Sequence, residues 1–526
     1  MQIARRALQV ELFRFRIKDL LTLQSRKFVS FQLAFFDPTD CIGHTTRHSL
    51  GHTTRARLGY ASRARSNKGT PRRFLFSPQG GQGARLLTRP PNPHSVRFKS
   101  GPDGKMKLDS PEFHSCFTPE LKRLAGIFEK HGYQLRIAGG AVRDMLMGKK
   151  PHDIDFATNA TPDQMKAMFA EEKVRTFNEK GEKHGTVCAR MNDKENFEIT
   201  TLRIDVTTDG RHAEVQFTED WKLDANRRDL TVNSMFLGLD GTVYDYFNGH
   251  EDLKKGVCAF VGDPVSRIQE DYLRILRYFR FFARICNNPN NHKEEVLSAI
   301  KNNLDGLHNI SGERIWTELN KILGGSFSKE MMLKMLEINM FPHLGLPANP
   351  NTTEFERLLN HTEEVQPMTK IAALLHTEDE LNTLNKRLKL STYEKDLARF
   401  IINHRHDVSS DPHPLRLYQN LLLFSKLKAT TMREYIVELM KYKEKSELIK
   451  DFHKWRLPTF PMNGNIIRQY GTVGGKDLGK VLQGLKEHWS ANDFKLTRED
   501  LIRELPKIMT ELGLETKVPG VAHKPK

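Results

Sequence analysis

The chain runs to 526 residues, too long for a single hydrophobic core, so several domains are expected. Its 38% hydrophobic and 28% charged residues are an ordinary globular composition, and no apolar run approaches the ~18 residues that a membrane-spanning helix needs. Five scattered cysteines (Cys41, Cys116, Cys188, Cys258, Cys286), odd in number and without metal-ligand spacing, argue for a reducing compartment and against a disulfide framework or a zinc site.

The formal charge of +17 is unevenly placed. Residues 1–100 hold nineteen Lys/Arg, fifteen of them Arg, against Glu11, Asp19, Asp37 and Asp40, a net of +15. The rest of the chain carries 63 basic and 61 acidic residues, a net of only +2. An Arg- and Ser-bearing, acid-poor N-terminus has the composition of a mitochondrial transit peptide. Its opening, MQIARRALQVELFRFRIKDLL, predicts a helix with arginines beside an apolar face. The competing reading is a basic tail that binds RNA loosely. Met106 offers an internal start for a second form, left in the cytoplasm or nucleus.

Residues 60–105, rich in Gly, Pro, Ser and Arg, read as linker, and order is expected from about Pro111. Thr118 is placed to cap a helix over PELKRLAGIFEKHG that ends at Gly132. YQLRIAGG reads as a strand entering a Gly-Gly turn, AVRDMLMG as a helix, and KPHDIDFAT as a strand. Thr161-Pro162 opens another helix. HGTVCARM and NFEITTLRI read as two more strands, the second following Asn192-Asp193 turn chemistry. The polar stretch between Arg203 and Asn226 predicts a mobile loop or short hairpin. From Asp263 onward helical periodicity dominates, beginning with one amphipathic run, SRIQEDYLRILRYFRFFARI.

Three residue groups carry chemistry. In Gly139-Gly140-Ala-Val-Arg143, the glycine pair between strand and helix lets backbone N–H groups approach a triphosphate, and Arg143 adds a cation. Asp153 and Asp155, two apart on a strand, project from one face, and Glu198 on a neighbouring strand closes the cluster. Such acids suit Mg²⁺ better than a core, and two Mg²⁺ ions held by them serve in-line attack of a hydroxyl on phosphorus. Within seventeen residues the pattern runs strand, Gly-Gly, helix, turn, Asp-x-Asp. Here the sequence resembles the polymerase-β-like nucleotidyltransferases, and GGAVRDMLMGKKPHDIDFAT is similar to the signature shared by class II CCA-adding enzymes and bacterial poly(A) polymerases.

The second group is Arg228-Asp229-Leu-Thr-Val-Asn233. Four apart on a helix, Asp229 and Asn233 share a face and suit ribose hydroxyls, with Arg228 toward phosphate. Taken alone, Asp229 is better read as a helix cap with exposed arginines; the segment's resemblance to the same family's RRDxxxN ribose motif reverses that choice. The third is Glu270-Asp271-Tyr-Leu-Arg274-Ile-Leu-Arg277. On one helix Asp271, Arg274 and Arg277 fan across a sector of about 120°. The plain reading is an amphipathic helix with ion pairs. Cytosine and adenine, however, both present an amino donor beside a ring-nitrogen acceptor, which an Asp beside an Arg matches; guanine and uracil present a carbonyl instead. The segment resembles the family's EDxxR base-reading motif. Arg280 is a nucleotide contact by resemblance, although on the wheel it points nearly opposite Asp271.

Softer resemblances are Asp245–Asp252 to the family's hinge, residues 203–226 to its flexible loop, and the region around residues 460–489 to its RNA-gripping tail. The expected fold is an α/β nucleotidyltransferase head, a small mixed sheet with helices, followed by an all-α neck, body and tail. The expected division is 1–105 basic leader, 106–262 catalytic head, 263–330 neck binding base and RNA, and 331–526 body and tail binding tRNA. The resemblance implies template-independent addition of C, C and A to the tRNA 3′ end from CTP and ATP, with tRNA as partner and no membrane. A poly(A) polymerase, a partial CC- or A-adding enzyme and a non-enzymatic RNA-binding scaffold are the alternatives.

Overall fold

The computed structural model describes residues 98–100, 106–177, 179–208, 213–362, 364–409, 411–470 and 474–514. The expected leader before residue 98 lies outside the described residues.

Order begins earlier than Pro111, with a hairpin of β1 (Phe98–Ser100) and β2 (Met106–Leu108). Its second strand is tied onward, since Leu108 N donates to Gly241 O (2.8 Å). Thr118 caps the helix Pro119–Lys130 by accepting from Leu121 N, as its position predicts. Thr161 forms a full capping box with Gln164 at the start of Pro162–Glu171.

Seven strands form one mixed sheet: β3 (Leu135–Ala138), β4 (Asp155–Thr158), β5 (Arg175–Phe177), β6 (Thr186–Met191), β7 (Glu195–Thr201), β10 (Phe236–Gly238) and β11 (Val243–Tyr244). Their order is β11-β10-β3-β4-β7-β6-β5, antiparallel throughout except for the parallel pair β4–β7. A parallel pair cannot be joined by a tight turn, so the chain leaves β4 through the helix Pro162–Glu171 and returns by way of β5 and β6. Asn192 and Asp193, at φ +51° and +54°, make the tight β6–β7 turn that their residue types predict. Val142, Met145, Phe156, Phe169, Val187 and Ile199, all buried, are part of the core that fastens the head's helices to the sheet.

The run NFEITTLRI is not one strand. The sheet strand ends at Thr201, and after buried Leu202 the chain enters a separate hairpin of β8 (Arg203–Thr208) and β9 (Ala213–Phe217). The expected loop 203–226 is therefore this hairpin followed by the helix Trp221–Asn226, capped by Asp220; the tip, residues 209–212, lies outside the described residues.

From Pro264 onward all described regular structure is helical. The predicted continuous helix is broken in two, Pro264–Glu270 and Arg274–Ile285, because Asp271 is extended (φ −154°, ψ 104°). Its carboxylate accepts from Leu273 N (3.2 Å) and so competes with helix continuation. The Tyr272 ring packs where Gly306 has no side chain; a Cβ there would sit 2.0 Å from it. The last three helices, Gly464–Gln469, Gly475–Ala491 and Arg498–Glu511, form a second, smaller core around Val481, Leu485, Trp489, Leu501 and Leu505, joined by Leu423 from the helix Arg416–Leu423. Cys116, Cys188, Cys258 and Cys286 are all buried.

Candidate active site

A cavity of about 720 Å³ opens where the sheet, the glycine turn and the helix Arg274–Ile285 meet. Eight arginines and seven acidic side chains line it, so it is built for a charged ligand. Gly139 closes β3 at φ +65°, ψ −121°, a conformation open to glycine, and a Cβ on it would lie 2.9 Å from Arg228 Nη1. The helix Gly140–Leu146 starts at this wall, with the N–H groups of its first turn lacking partners within the helix. Arg143 lines the cavity as expected but is 3% exposed: its guanidinium donates to Asp144 (3.0 and 3.1 Å) and to Asn233 Oδ1. Arg284 Nη2 donates to the other Asp144 oxygen (2.7 Å), which fastens the glycine-turn helix to Arg274–Ile285.

The three acids meet at one wall of the cavity. Asp155 begins β4, and Glu198 is its register partner on parallel β7. Asp153 is not on the strand: it sits in the bend before it, exposed, with His152 Nδ1 2.9 Å from its Oδ1. The Asp-x-Asp pair thus reaches the cavity through a bend, because pairing between β4 and its neighbours begins only at residues 155–156. Asp155 is exposed at the cavity wall, where partial desolvation and then the negative charge of Asp153 push its carboxyl upward from its ordinary value, against the pull of Arg228.

Residues 228–233 are not an α-helix. Asp229 lies in a bend just before the extended residue Leu230, and Asn233 ends a 3-10 turn (Thr231–Asn233). The turn still joins the pair, with Asn233 Nδ2 donating to Asp229 Oδ1 (3.2 Å), while Arg277 Nε donates to Asp229 Oδ2 (2.6 Å). Burial opposes charge on Asp229, but Arg277 and the hydrogen bonds outweigh it and hold the carboxyl below its ordinary range. Arg228 is held by Asp224 (3.0 and 3.2 Å) and lies over the Phe236 ring.

Asp271 and Arg274 line the same cavity without pairing to each other through their side chains. Asp271 Oδ2 accepts from Arg314 Nη2 (2.8 Å); Arg274 donates to Glu270, to Arg267 O (2.9 Å) and to Arg227 O (3.1 Å). Breaking the helix cancels the wheel argument against Arg280, which also lines the cavity and binds Glu318 with both contacts at 3.2 Å. Phe281 lies beneath the guanidiniums of Arg143, Arg277 and Arg280, at 4.7 to 5.2 Å.

Sequence reasoning gave no role to Asp144, which follows Arg143 in the glycine motif, and missed Asp224, Arg284, Arg314 and Phe281. Asp224 was within reach, because its spacing to Arg227 and Arg228 is that of helix-neighbour ion pairs. Arg314 gives no local signal, lying 43 residues beyond Asp271.

Carboxylates on adjoining strands, a glycine turn and an arginine-lined cavity together define a nucleotidyltransferase head. Residues 135–259 match the family model of the poly A polymerase head domain, and residues 293–348 that of a probable RNA and SrmB-binding site of polymerase A. The mitochondrial CCA tRNA nucleotidyltransferase 1 of Mus musculus is 50% identical over 407 residues, 76% of this chain and 93% of the relative; that of Homo sapiens is 50% identical over 409 residues, again 76% and 93%. A CCA-adding enzyme of Bacillus pumilus is 31% identical over 396 residues, 73% of this chain and 93% of its own length. Among solved structures, the Bacillus stearothermophilus CCA-adding enzyme in complex with CTP shares the fold at TM-score 0.59 and 24% identity, covering 76% of this chain and 99% of that one. This chain belongs to the CCA tRNA nucleotidyltransferase family.

Proposed function

We propose that this chain adds C, C and A to the 3′ end of tRNA from CTP and ATP, without a nucleic-acid template. The observation that carries this reading is one cavity holding Asp153, Asp155 and Glu198, the Gly139–Gly140 turn, and Asp271 with Arg274. The reaction joins the tRNA 3′-oxygen to the α-phosphorus as the α–β bridge breaks, and pyrophosphate leaves. Gly139, Gly140 and Arg228 bind the leaving phosphates. Asp229 and Asn233, already hydrogen-bonded to each other, take the ribose hydroxyls, and Arg277 orients Asp229. Asp271 and Arg274 read the amino group and ring nitrogen of C or A. Arg143 and Arg280, held by Asp144 and Glu318, shape the cationic wall.

The acid cluster fits Mg²⁺, being all hard oxygen donors, and desolvation, followed by the charge of Asp153, raises the proton affinity of Asp155, a cost to its ionised form that a cation would offset. Asp153 and Asp155 would hold it, with Glu198 as the third acid; when bound, two such ions supply charge neutralisation and activation of the 3′-hydroxyl. Residues 106–262 serve as the head, 263–330 as the neck and 331–526 as tRNA-binding body and tail, with 1–105 as a mitochondrial import leader. The relatives named mitochondrial support the last point. No helix among the described residues is long and apolar enough to cross a membrane.

The test is incubation with tRNA lacking CCA and each labelled nucleotide. Incorporation of C, C, then A, and then arrest is expected. A run of A residues would mean a poly(A) polymerase, and no incorporation would leave an RNA-binding scaffold.

A further inference from the structure

Away from the nucleotide cavity, two short elements bring three metal-ligating side chains together. Asp305 and His308 lie on the 3-10 turn Leu304–Asn309, and His343 on the short helix Phe341–Leu344. His343 Nδ1 is 3.2 Å from His308 Nε2 and 3.7 Å from Asp305 Oδ1, and the three ligand atoms all lie within 4.8 Å of one another. Two imidazole nitrogens bound to one tetrahedral Zn²⁺ at about 2.0–2.1 Å would stand about 3.3 Å apart. The observed separation of the two nitrogens already matches that spacing.

The backbone beneath these residues is braced. Arg387 donates to Leu307 O (2.7 Å), Ile310 O (3.1 Å) and His343 O (3.2 Å), so one guanidinium ties both ligand-bearing elements together. Gly345, at φ +80°, packs against the same arginine; a Cβ there would come 2.7 Å from Arg387 Cβ. A backbone held in place before the metal arrives leaves only the side chains to be ordered on binding.

We propose that Asp305, His308 and His343 form a binding site for a first-row transition ion of the Zn²⁺ class. Two imidazoles and one carboxylate favour such an ion over Mg²⁺ or Ca²⁺, which take oxygen donors. Three protein ligands leave a fourth position for water. None of the three residues lines the nucleotide cavity, so the ion would act as a clasp between the turn and the short helix, not in nucleotide transfer.

The experiment uses the full chain, stripped with a chelator, exchanged into buffer with excess Mg²⁺ and titrated with Zn²⁺ alone by calorimetry. The wild-type chain should bind one equivalent of Zn²⁺ more than the His308→Ala/His343→Ala variant. Zn²⁺ should also raise the wild-type melting temperature more than the variant's. Co²⁺ in place of Zn²⁺ should give visible d–d absorption that the variant loses. His308 is exposed, so the single His308→Ala change decides the matter if the double variant misfolds. Equal Zn²⁺ stoichiometry and equal thermal shift in wild type and His308→Ala would overturn the proposal, whatever either protein does with CTP and ATP.

Discussion

Replacing Asp271 with alanine should change which bases are accepted, not simply slow the enzyme. Its two carboxylate oxygens offer about four acceptor positions. Leu273 N and Arg314 take up two of these, at 3.2 and 2.8 Å, so capacity remains for the amino group of C or A. The alanine variant loses that acceptor while Arg274 keeps its place through Glu270 and two backbone carbonyls. A donor left facing a carbonyl then tolerates U or G. One hydrogen bond of this kind in a partly dry site is worth about 1–3 kcal/mol, or about one to two decades of discrimination. The ion pair with Arg314 is partly solvated, so its loss should cost the fold about 1 kcal/mol or less. The assay is single-nucleotide incorporation with all four NTPs on tRNA ending before the first C and before the terminal A, alongside a melting curve. Asp271→Asn, which retains one acceptor oxygen, should fall between wild type and alanine. Equal slowing of all four NTPs by Asp271→Ala, in a folded protein, would refute base reading by this residue and leave the segment as plain helical support.

Asp155→Asn should abolish incorporation of both CMP and AMP while tRNA binding, followed by gel shift, stays near normal. The same change should raise the melting temperature of metal-free protein at neutral pH. A carboxyl whose folded pKa is raised above its unfolded value contributes stability that is lost as pH rises through the folded pKa, so ionised Asp155 destabilises the fold, and the gain from Asn should vanish below about pH 4. Gly139→Ala should raise the KM for CTP and ATP together, since alanine at φ +65° costs about 1–3 kcal/mol and its Cβ displaces Arg228; unchanged KM values would argue against a phosphate-binding turn. A fluorescent reporter fused behind residues 1–105 should enter mitochondria and a chain begun at Met106 should not; cytosolic retention of the first fusion would favour the basic-tail reading.

Local chemistry determined much of this protein from its sequence alone. Thr118 and Thr161 announce helix starts, Asn192-Asp193 a tight turn, and Gly139-Gly140 a strand-to-helix corner, because each depends on residues within a few positions. The adjacency of Asp155 and Glu198 was also legible, since their strands were, although the parallel register that sets them side by side belongs to the sheet. Tertiary structure alone decided the rest. The amphipathic run from Ser266 to Ile285 has unbroken helical periodicity, yet it breaks at Asp271, where a carboxylate held by Arg314 and a Tyr272 ring seated on Gly306 outweigh the backbone bonds given up. That break brings Arg280 into the cavity with Asp271, against their spacing on a wheel. Asp229 and Asn233 meet through a 3-10 turn where an α-helix was expected, and Arg277 completes their network from 48 residues away. Periodicity reports which face of a segment is apolar; it carries no record of the distant guanidinium that a single carboxylate will choose.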